Sequence, residues 1–339
     1  MNNAVKKYAA IGLMGLLGLS MPSYASEGAA PVNQAQKLTP EQQLAYTAQN
    51  KNESVEKRAD ALRQLARYPN QNSLVAVARG LKESDPLLRE AAIIGSDLYQ
   101  FEHRWRMISP LLSDSNLTVR MTAATNLLRE YNAMTPEQQK QIETPYNEVV
   151  TYLSGQLEEQ SNAESQLLLA DVYRWHKEWK KADSLYQPLL ESTADNSQVW
   201  LNLSDNYRAQ SQDAKALEIL NRGIEQLPKE ASLYYSKALT QVRLNQKESA
   251  ANAIKTAANL AENNSYYWYL TGVLQEDIDV DLATESFEKA YLISGSPEQL
   301  YAVCDIYVRY GNQKAEACLV ELAKVAPEHV ITQLKEKQK

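Results

Sequence analysis

A chain of 339 residues, 44% of them apolar and with only 11 glycines, is long enough for two or three domains and can bury a core, which excludes a disordered polymer. Its formal charge of −7 repels phosphate backbones and anionic lipid, so neither nucleic acid nor a membrane surface is an expected partner. Tyrosine dominates the aromatics, 20 against 2 phenylalanines, taking packing positions that Phe could fill while keeping a hydroxyl for the surface.

The first residues read as a secretory signal. Lys6 and Lys7 form a basic start, Ala9 to Leu19 an apolar stretch, and Ser23-Tyr24-Ala25 offers small residues for cleavage after Ala25. The apolar stretch is shorter than the ~20 residues of a spanning helix. No later segment is apolar enough to span, and no cysteine lies near the cleavage point for lipid attachment. The expectation is soluble export of residues 26–339 to a bacterial periplasm.

Residues 26–52 read as a linker with one short helix, opened by Thr39-Pro40-Glu41-Gln42: Thr caps, Pro fits the first turn and Glu suits the N-terminal dipole. The same pattern recurs at Thr135-Pro136-Glu137-Gln138, opening connecting helices over 134–162.

Between them, in 53–133, Arg58, Arg89 and Arg120 stand 31 residues apart, each followed by alanines and leucines, the last two preceded by acidic turns at Ser84-Asp85 and Ser113-Asp114. Small residues let helices approach closely, and an Arg after an acidic turn can bond across to the next turn and fix the repeat spacing. Val119-Arg120-Met121-Thr122-Ala123-Ala124 and Leu88-Arg89-Glu90-Ala91-Ala92 resemble HEAT-type repeats.

From Ala163 a longer period takes over. Ala182, Ala216, Ala250 and Ala283 are spaced by 34, 34 and 33 residues. In step with them run a small-residue column (Ala170, Ser204, Ala238, Gly272, Cys304) and a large column (Tyr173, Tyr207, Gln241, Gln275, Tyr307). Trp200, Tyr234 and Trp268 precede the small column, and Tyr186, Leu220, Ile254, Phe287 and Leu319 lie in the second helix of each hairpin. This pattern resembles the tetratricopeptide repeat, in five copies over 163–330; Ser197 to Glu230 is the cleanest, and the fourth departs through an acidic turn, Glu276-Asp277-Ile278-Asp279, expected to weaken packing there. Val330, Ile331 and Leu334 form the apolar stripe of a C-terminal capping helix and tail over 331–339. The fold expected is an all-α solenoid, HEAT-like hairpins followed by a tetratricopeptide superhelix. The order of modules also resembles the C-terminal extension of some exported multihaem cytochromes, without any C-x-x-C-H to attach haem.

Cys304 and Cys318 lie seven residues either side of Gly311, the expected turn of the last hairpin, and so stand at one height. An oxidising compartment favours a disulfide between them; two buried free thiols are the alternative. His103, His176 and His329 belong to separate modules and have no metal-ligand spacing, and His176 reads as a solvated helix end. With no phosphate loop, nucleophile elbow or zinc motif, neither an enzyme nor a cofactor is expected.

The resemblance implies a groove lined by the first helix of each hairpin. Its candidate residues are Tyr235, Tyr269 and Tyr301, an aromatic ladder that either meets a partner or packs between helices. Asp171 with Arg174, and Asp205 with Arg208, form a polar end, read either as partner contacts or as internal pairs three residues apart. The function expected is a protein-binding scaffold or assembly factor in the cell envelope, taking a peptide or helix in that groove; the alternative is an accessory subunit for periplasmic electron transfer or cytochrome maturation.

Overall fold

The computed structural model describes residues 38–160 and 162–337. The expected signal peptide, its cleavage point and most of the expected linker lie outside the described residues. The described chain is built from helices, with no strand among the described residues, and divides into two compact units, one up to Leu127 and one from Leu128.

In the first unit, helices α1 (Pro40–Gln49), α2 (Val55–Gln64), α3 (Gln71–Gly80), α4 (Pro86–Gly95), α5 (Phe101–Ile108) and α6 (Leu117–Leu128) follow one another through short turns. Each start is written in the side chains. Thr39 and Gln42 form a reciprocal capping box, and Ser54, Asn70 and Asp85 cap α2, α3 and α4. Helix α1 is no linker element. It buries Ala45 and Ala48, and it packs on α2 and α3, so the hairpin stack begins earlier than the sequence suggests.

The arginine ladder acts as its spacing predicts. Arg58 donates from Nη2 to Glu83 at 2.5 Å and from Nε to the Ala48 carbonyl at 3.1 Å. Arg89 makes a bidentate pair with Asp114, both bonds 2.8 Å, and its Nη1 donates to the carbonyls of Glu83 and Ser84, in the turn that opens its own helix. Arg120 donates to the carbonyl of Asp114 at 2.7 Å, repeating that own-turn contact. Each of the first two arginines therefore reaches the turn 25 residues on, and those ties set the distance between hairpins.

The second unit opens with α7 (Pro136–Glu159), whose capping box of Thr135 and Gln138 matches that of α1. Five hairpins follow, each a first (A) and second (B) helix: α8 and α9 (Ala163–Trp175, Trp179–Ser192), α10 and α11 (Ser197–Ala209, Asp213–Gln226), α12 and α13 (Ala231–Arg243, Lys247–Leu260), α14 and α15 (Ser265–Gln275, Val280–Ser294), α16 and α17 (Pro297–Arg309, Ala315–Leu322). Helix α18 (Glu328–Lys335) ends the stack, burying Val330 and Leu334.

The sequence columns become layers. Ala182, Ala216, Ala250 and Ala283 are all fully buried, as are Ala170, Ser204, Ala238 and Cys304. Gly272 belongs to the same layer because a Cβ there would come within 2.8 Å of the Phe287 ring. The tryptophan column closes the loops: Trp200 and Trp268 each donate from Nε1 to a carbonyl six residues back, of Ala194 and Glu262, both at 3.0 Å. Tyr234, at the equivalent place, bonds the Pro228 carbonyl from its hydroxyl. Cys304 and Cys318 face each other across the last hairpin with their sulfurs 1.98 Å apart.

A further regularity lies in the turns. Lys177, Ser211 and Asn245, spaced by 34 residues, all have positive φ, as does Gly311. Each lets the next amide donate five residues back, Glu178 to Tyr173, Gln212 to Tyr207, Gln246 to Gln241 and Asn312 to Tyr307, the Schellman termination of a helix. The fourth hairpin turns differently, with the amides of Ile278 and Asp279 both donating to Gln275. Its acidic turn is tied on both sides: Asp277 pairs with Lys247, and the buried Glu276 accepts from Arg309 and from the Tyr310 hydroxyl. These bonds tie the turn at the place where weaker packing is expected.

His176 is not a solvated helix end. Its ring stacks on Tyr146 of α7 at 3.7 Å between centroids, tilts against Tyr131, and places Nε2 3.2 Å from Glu143. Tyr146 in turn donates its hydroxyl to Glu178, so α7 is docked on the first hairpin through an aromatic and acidic cluster.

Candidate binding face of the A helices

Residues one position after the tryptophan column lie along the face shared by the A helices, and they change character along the stack: Leu167 and Leu201, then Tyr235, Tyr269 and Tyr301. The tyrosines do not stand as three equivalent rungs. Tyr235 of α12 stacks on Tyr267 of α14 with centroids 5.1 Å apart, and meets Tyr266 edge-on at 6.3 Å. Tyr266 in turn stacks on Tyr269 at 6.5 Å, and Tyr269 rests on Phe287 at 5.6 Å. Tyr235 and Tyr269 therefore belong to one aromatic cluster, bridged by Tyr266.

The cluster is anchored below and open above. Tyr235 and Tyr269 are half-buried, and burial pushes the Tyr235 hydroxyl up to about 12 and raises that of Tyr269. Both hydroxyls stay neutral, able to donate and to accept. Tyr266 is 51% exposed, the open ring of the group. Leu239, Val242 and Val273, on the next turns of α12 and α14, are partly buried and continue the apolar surface. Sequence reading missed Tyr266 because it fills no column of the repeat; stepping back three residues from Tyr269 along the helix face would have found it.

Tyr301 is set apart. Lys337, two residues beyond α18, donates to the Tyr301 hydroxyl at 3.2 Å and to Asp305 at 2.7 Å, with its ammonium 5.6 Å from the ring centre. Asp305 also accepts from Arg309 Nε at 2.7 Å, and Arg309 reaches on to Glu276. The A face of the fifth hairpin is thus held by Lys337.

The expected polar end resolves into two different pairs. Asp171 and Arg174 are an internal pair, with side chains 14% and 17% exposed. The Asp171 carboxylate accepts from the Tyr186 hydroxyl at 2.5 Å and from Asn202 at 2.7 and 2.9 Å, while Arg174 Nε donates to Tyr186 at 3.1 Å. Burial raises the Asp171 carboxyl above its ordinary value even with these partners around it. With its bonds used between helices, this pair offers a partner little. Asp205 and Arg208 also bond each other, and their side chains remain 35% and 22% exposed. Arg208 of this second pair lies near enough to Tyr235 for its charge to act on that hydroxyl.

The same chemistry explains the tyrosine-rich composition. Tyr146 bonds Glu178, Tyr186 bonds Asp171, Tyr207 bonds Asp183 at 2.6 Å, Tyr307 bonds Glu288 and Tyr310 bonds Glu276 at 3.1 Å. Many of these hydroxyls serve as carboxylate partners inside the stack rather than as surface groups, a use Phe cannot fill.

The described residues contain no cluster of acids, histidines or cysteines able to hold a metal ion, and no helix long and apolar enough to cross a membrane. No family model and no curated protein matches the chain. Among solved structures it is similar to MamA, at 20% identity over 50% of this chain and 95% of that one, with a TM-score of 0.40. It is likewise similar to YrrB, described as a TPR protein with an unusual peptide-binding site, at 19% identity over 54% and 97% with a TM-score of 0.43. PilF from Pseudomonas aeruginosa is a third, at 17% identity over 65% and 97% with a TM-score of 0.43.

Proposed function

We propose that this chain is a non-catalytic protein-binding module that takes an apolar segment of another protein on the A face of its second to fourth hairpins. The observation that carries the reading is the cluster of Tyr235, Tyr266 and Tyr269, anchored on Tyr267 and Phe287 with one ring open. Aromatic rings held in this way bury large area at little cost in side-chain entropy, and their neutral hydroxyls accept or donate at the rim. Leu239 and Val273 extend the surface beside them, and the Asp205–Arg208 pair supplies a polar border that orients a bound segment.

A photoreactive phenylalanine analogue placed at Tyr266 tests the reading in cells. Adducts to a defined protein are expected there and not from the same analogue at the exposed Gln141 on α7. Equal adducts at both places, or none at Tyr266, would count against the A face.

The compartment belongs to the same proposal. The basic and apolar start of the chain supports export, and the Cys304–Cys318 pair suits an oxidising space. N-terminal sequencing of the mature protein is expected to begin at Ser26; a retained Met1 would overturn export by cleavage.

A further inference from the structure

A second surface, on the B helices, has a different chemistry. Trp268 is only 2% exposed, and two ammonium groups lie over its indole. Lys289 of α15 places Nζ 3.7 Å from the ring centre, and Lys255 of α13 places its Nζ 4.4 Å from the same centre.

Comparison with the matching place two hairpins earlier separates the two lysines. Counting from the alanine of each B helix, Lys289 corresponds to Arg222, which lies over Trp200 at 5.6 Å. One cation over each indole is therefore part of the repeat. Lys255 corresponds instead to Gln187, an uncharged residue that bonds Asp183 and the Tyr207 hydroxyl. The second ammonium at Trp268 has no counterpart at Trp200.

The charge of Glu285 offsets that second ammonium only in part. Neither Lys255 nor Lys289 makes an ion pair or a hydrogen bond among the described residues, although the chain carries 42 acidic side chains. Glu285, one turn before Lys289, is the nearby acid, and it forms no ion pair with either lysine. Burial, then the charge of Lys289, holds the Lys255 ammonium below the ordinary lysine value. Two like charges beside one ring repel each other, and an incoming carboxylate relieves that repulsion. Beside them, three residues after Lys289 and so on the same stripe of α15, stands Leu292. At 84% it is the most exposed large apolar side chain described.

We infer that Lys255, Lys289 and Leu292 form a docking surface for an acidic segment of a partner protein, one that presents carboxylates to the ammoniums and an apolar side chain to the leucine. The surface is separate from the aromatic cluster of the A helices, so it gives the chain two binding faces and lets it hold two segments at once. The Lys255 ion pair forms against a desolvated indole, where it is worth more than on an open surface, and Lys289 meets the segment at the exposed rim.

Selection from a displayed library of random twelve-residue peptides on the full chain tests this. One class of selected peptides is expected to combine Glu or Asp with a large apolar residue. Synthetic members of that class should bind Lys255→Gln/Lys289→Gln protein about tenfold or more weakly, with the effect of added salt reduced. The same members should bind Tyr235→Ala/Tyr266→Ala/Tyr269→Ala protein unchanged, which keeps this surface distinguishable from the A face. Absence of an acidic class, or equal binding to the lysine variant, overturns the inference. So does sedimentation showing a dimer that the lysine variant abolishes, because the surface would then be covered by a second copy of this chain.

Discussion

The two units face one mechanical problem, holding successive helical hairpins at a fixed spacing, and they solve it by different physics. The first unit uses charge. Arg58 and Arg89 each tie their own helix to a turn 25 residues on, and Arg89 does so through two parallel bonds to one carboxylate. The second unit leans on shape, with buried alanines, Gly272 against Phe287, and tryptophans that close the loops, and adds ion pairs such as Lys247–Asp277 and Arg309–Glu276 around its fourth hairpin. A charge ladder needs particular residues and places them at each hairpin border. A shape ladder needs only sizes inside the interface and leaves the A face and the B face open to differ between hairpins. That freedom is what allows tyrosines to gather on α12 and α14, and a second lysine to sit over Trp268.

The difference can be broken from either side. Arg89→Met removes the bidentate pair and leaves the 8%-exposed Asp114 carboxylate without its main partner. A loss of about 3 kcal/mol in denaturant unfolding is expected, and it should fall on the first unit. A change under about 1 kcal/mol would mean that charge does not set the spacing there. Gly272→Val makes the opposite test, pushing a side chain into Phe287 at a cost of about 2 kcal/mol confined to the second unit. The same unfolding curves read it, and a neutral result would show the shape ladder to be loose.

Acid titration sharpens the comparison further. The Asp114 carboxyl is held below its usual value by its bonds to Arg89. Its contribution is therefore complete above about pH 4, the unfolded value, and is lost as pH falls through the lower folded value. Burial moves Asp171 the other way, so its contribution is complete below about pH 4 and declines as pH rises through the raised folded value. Carbon-13 shifts of the two carboxyls should titrate on opposite sides of about pH 4; midpoints in the reverse order would contradict both assignments. The smallest effect belongs to the turns. Ser211 holds a positive φ that glycine adopts without strain, so Ser211→Gly is expected to leave stability unchanged or to raise it by up to about 1 kcal/mol, read as a shift in thermal midpoint. A clear loss would show that the Ser211 side chain has a role beyond the turn.

Most of the fold was legible because repetition is a strong signal. The alanine and small-residue columns located every hairpin of the second unit, the 31-residue arginine spacing foretold the ties of the first, and symmetry about Gly311 paired the two cysteines. What escaped reading depends on contacts between unlike positions. The positive-φ turns share a spacing but are filled by Lys177, Ser211 and Asn245, three side chains with no common chemistry. His176 looked like a surface residue because its partners, Tyr131, Tyr146 and Glu143, come from a part of the chain with no repeat. Tyr301 could not be told from Tyr235 and Tyr269 by column, because the lysine that occupies it lies 36 residues away, beyond the last helix. The A face was therefore legible as a region, while its contacts were not: Tyr266 joins the aromatic cluster, and Asp171 and Arg174 bond inside the stack.

The affinity of the protein captured at Tyr266 is the direct measure of binding on the A face. Its equilibrium binding to the native chain and to Tyr235→Ala/Tyr266→Ala/Tyr269→Ala protein, measured with the far-ultraviolet circular dichroism of both, decides the matter. The predicted result is binding weakened about tenfold or more with the helical signal unchanged. Equal affinity for the two proteins would contradict the A face as the binding surface.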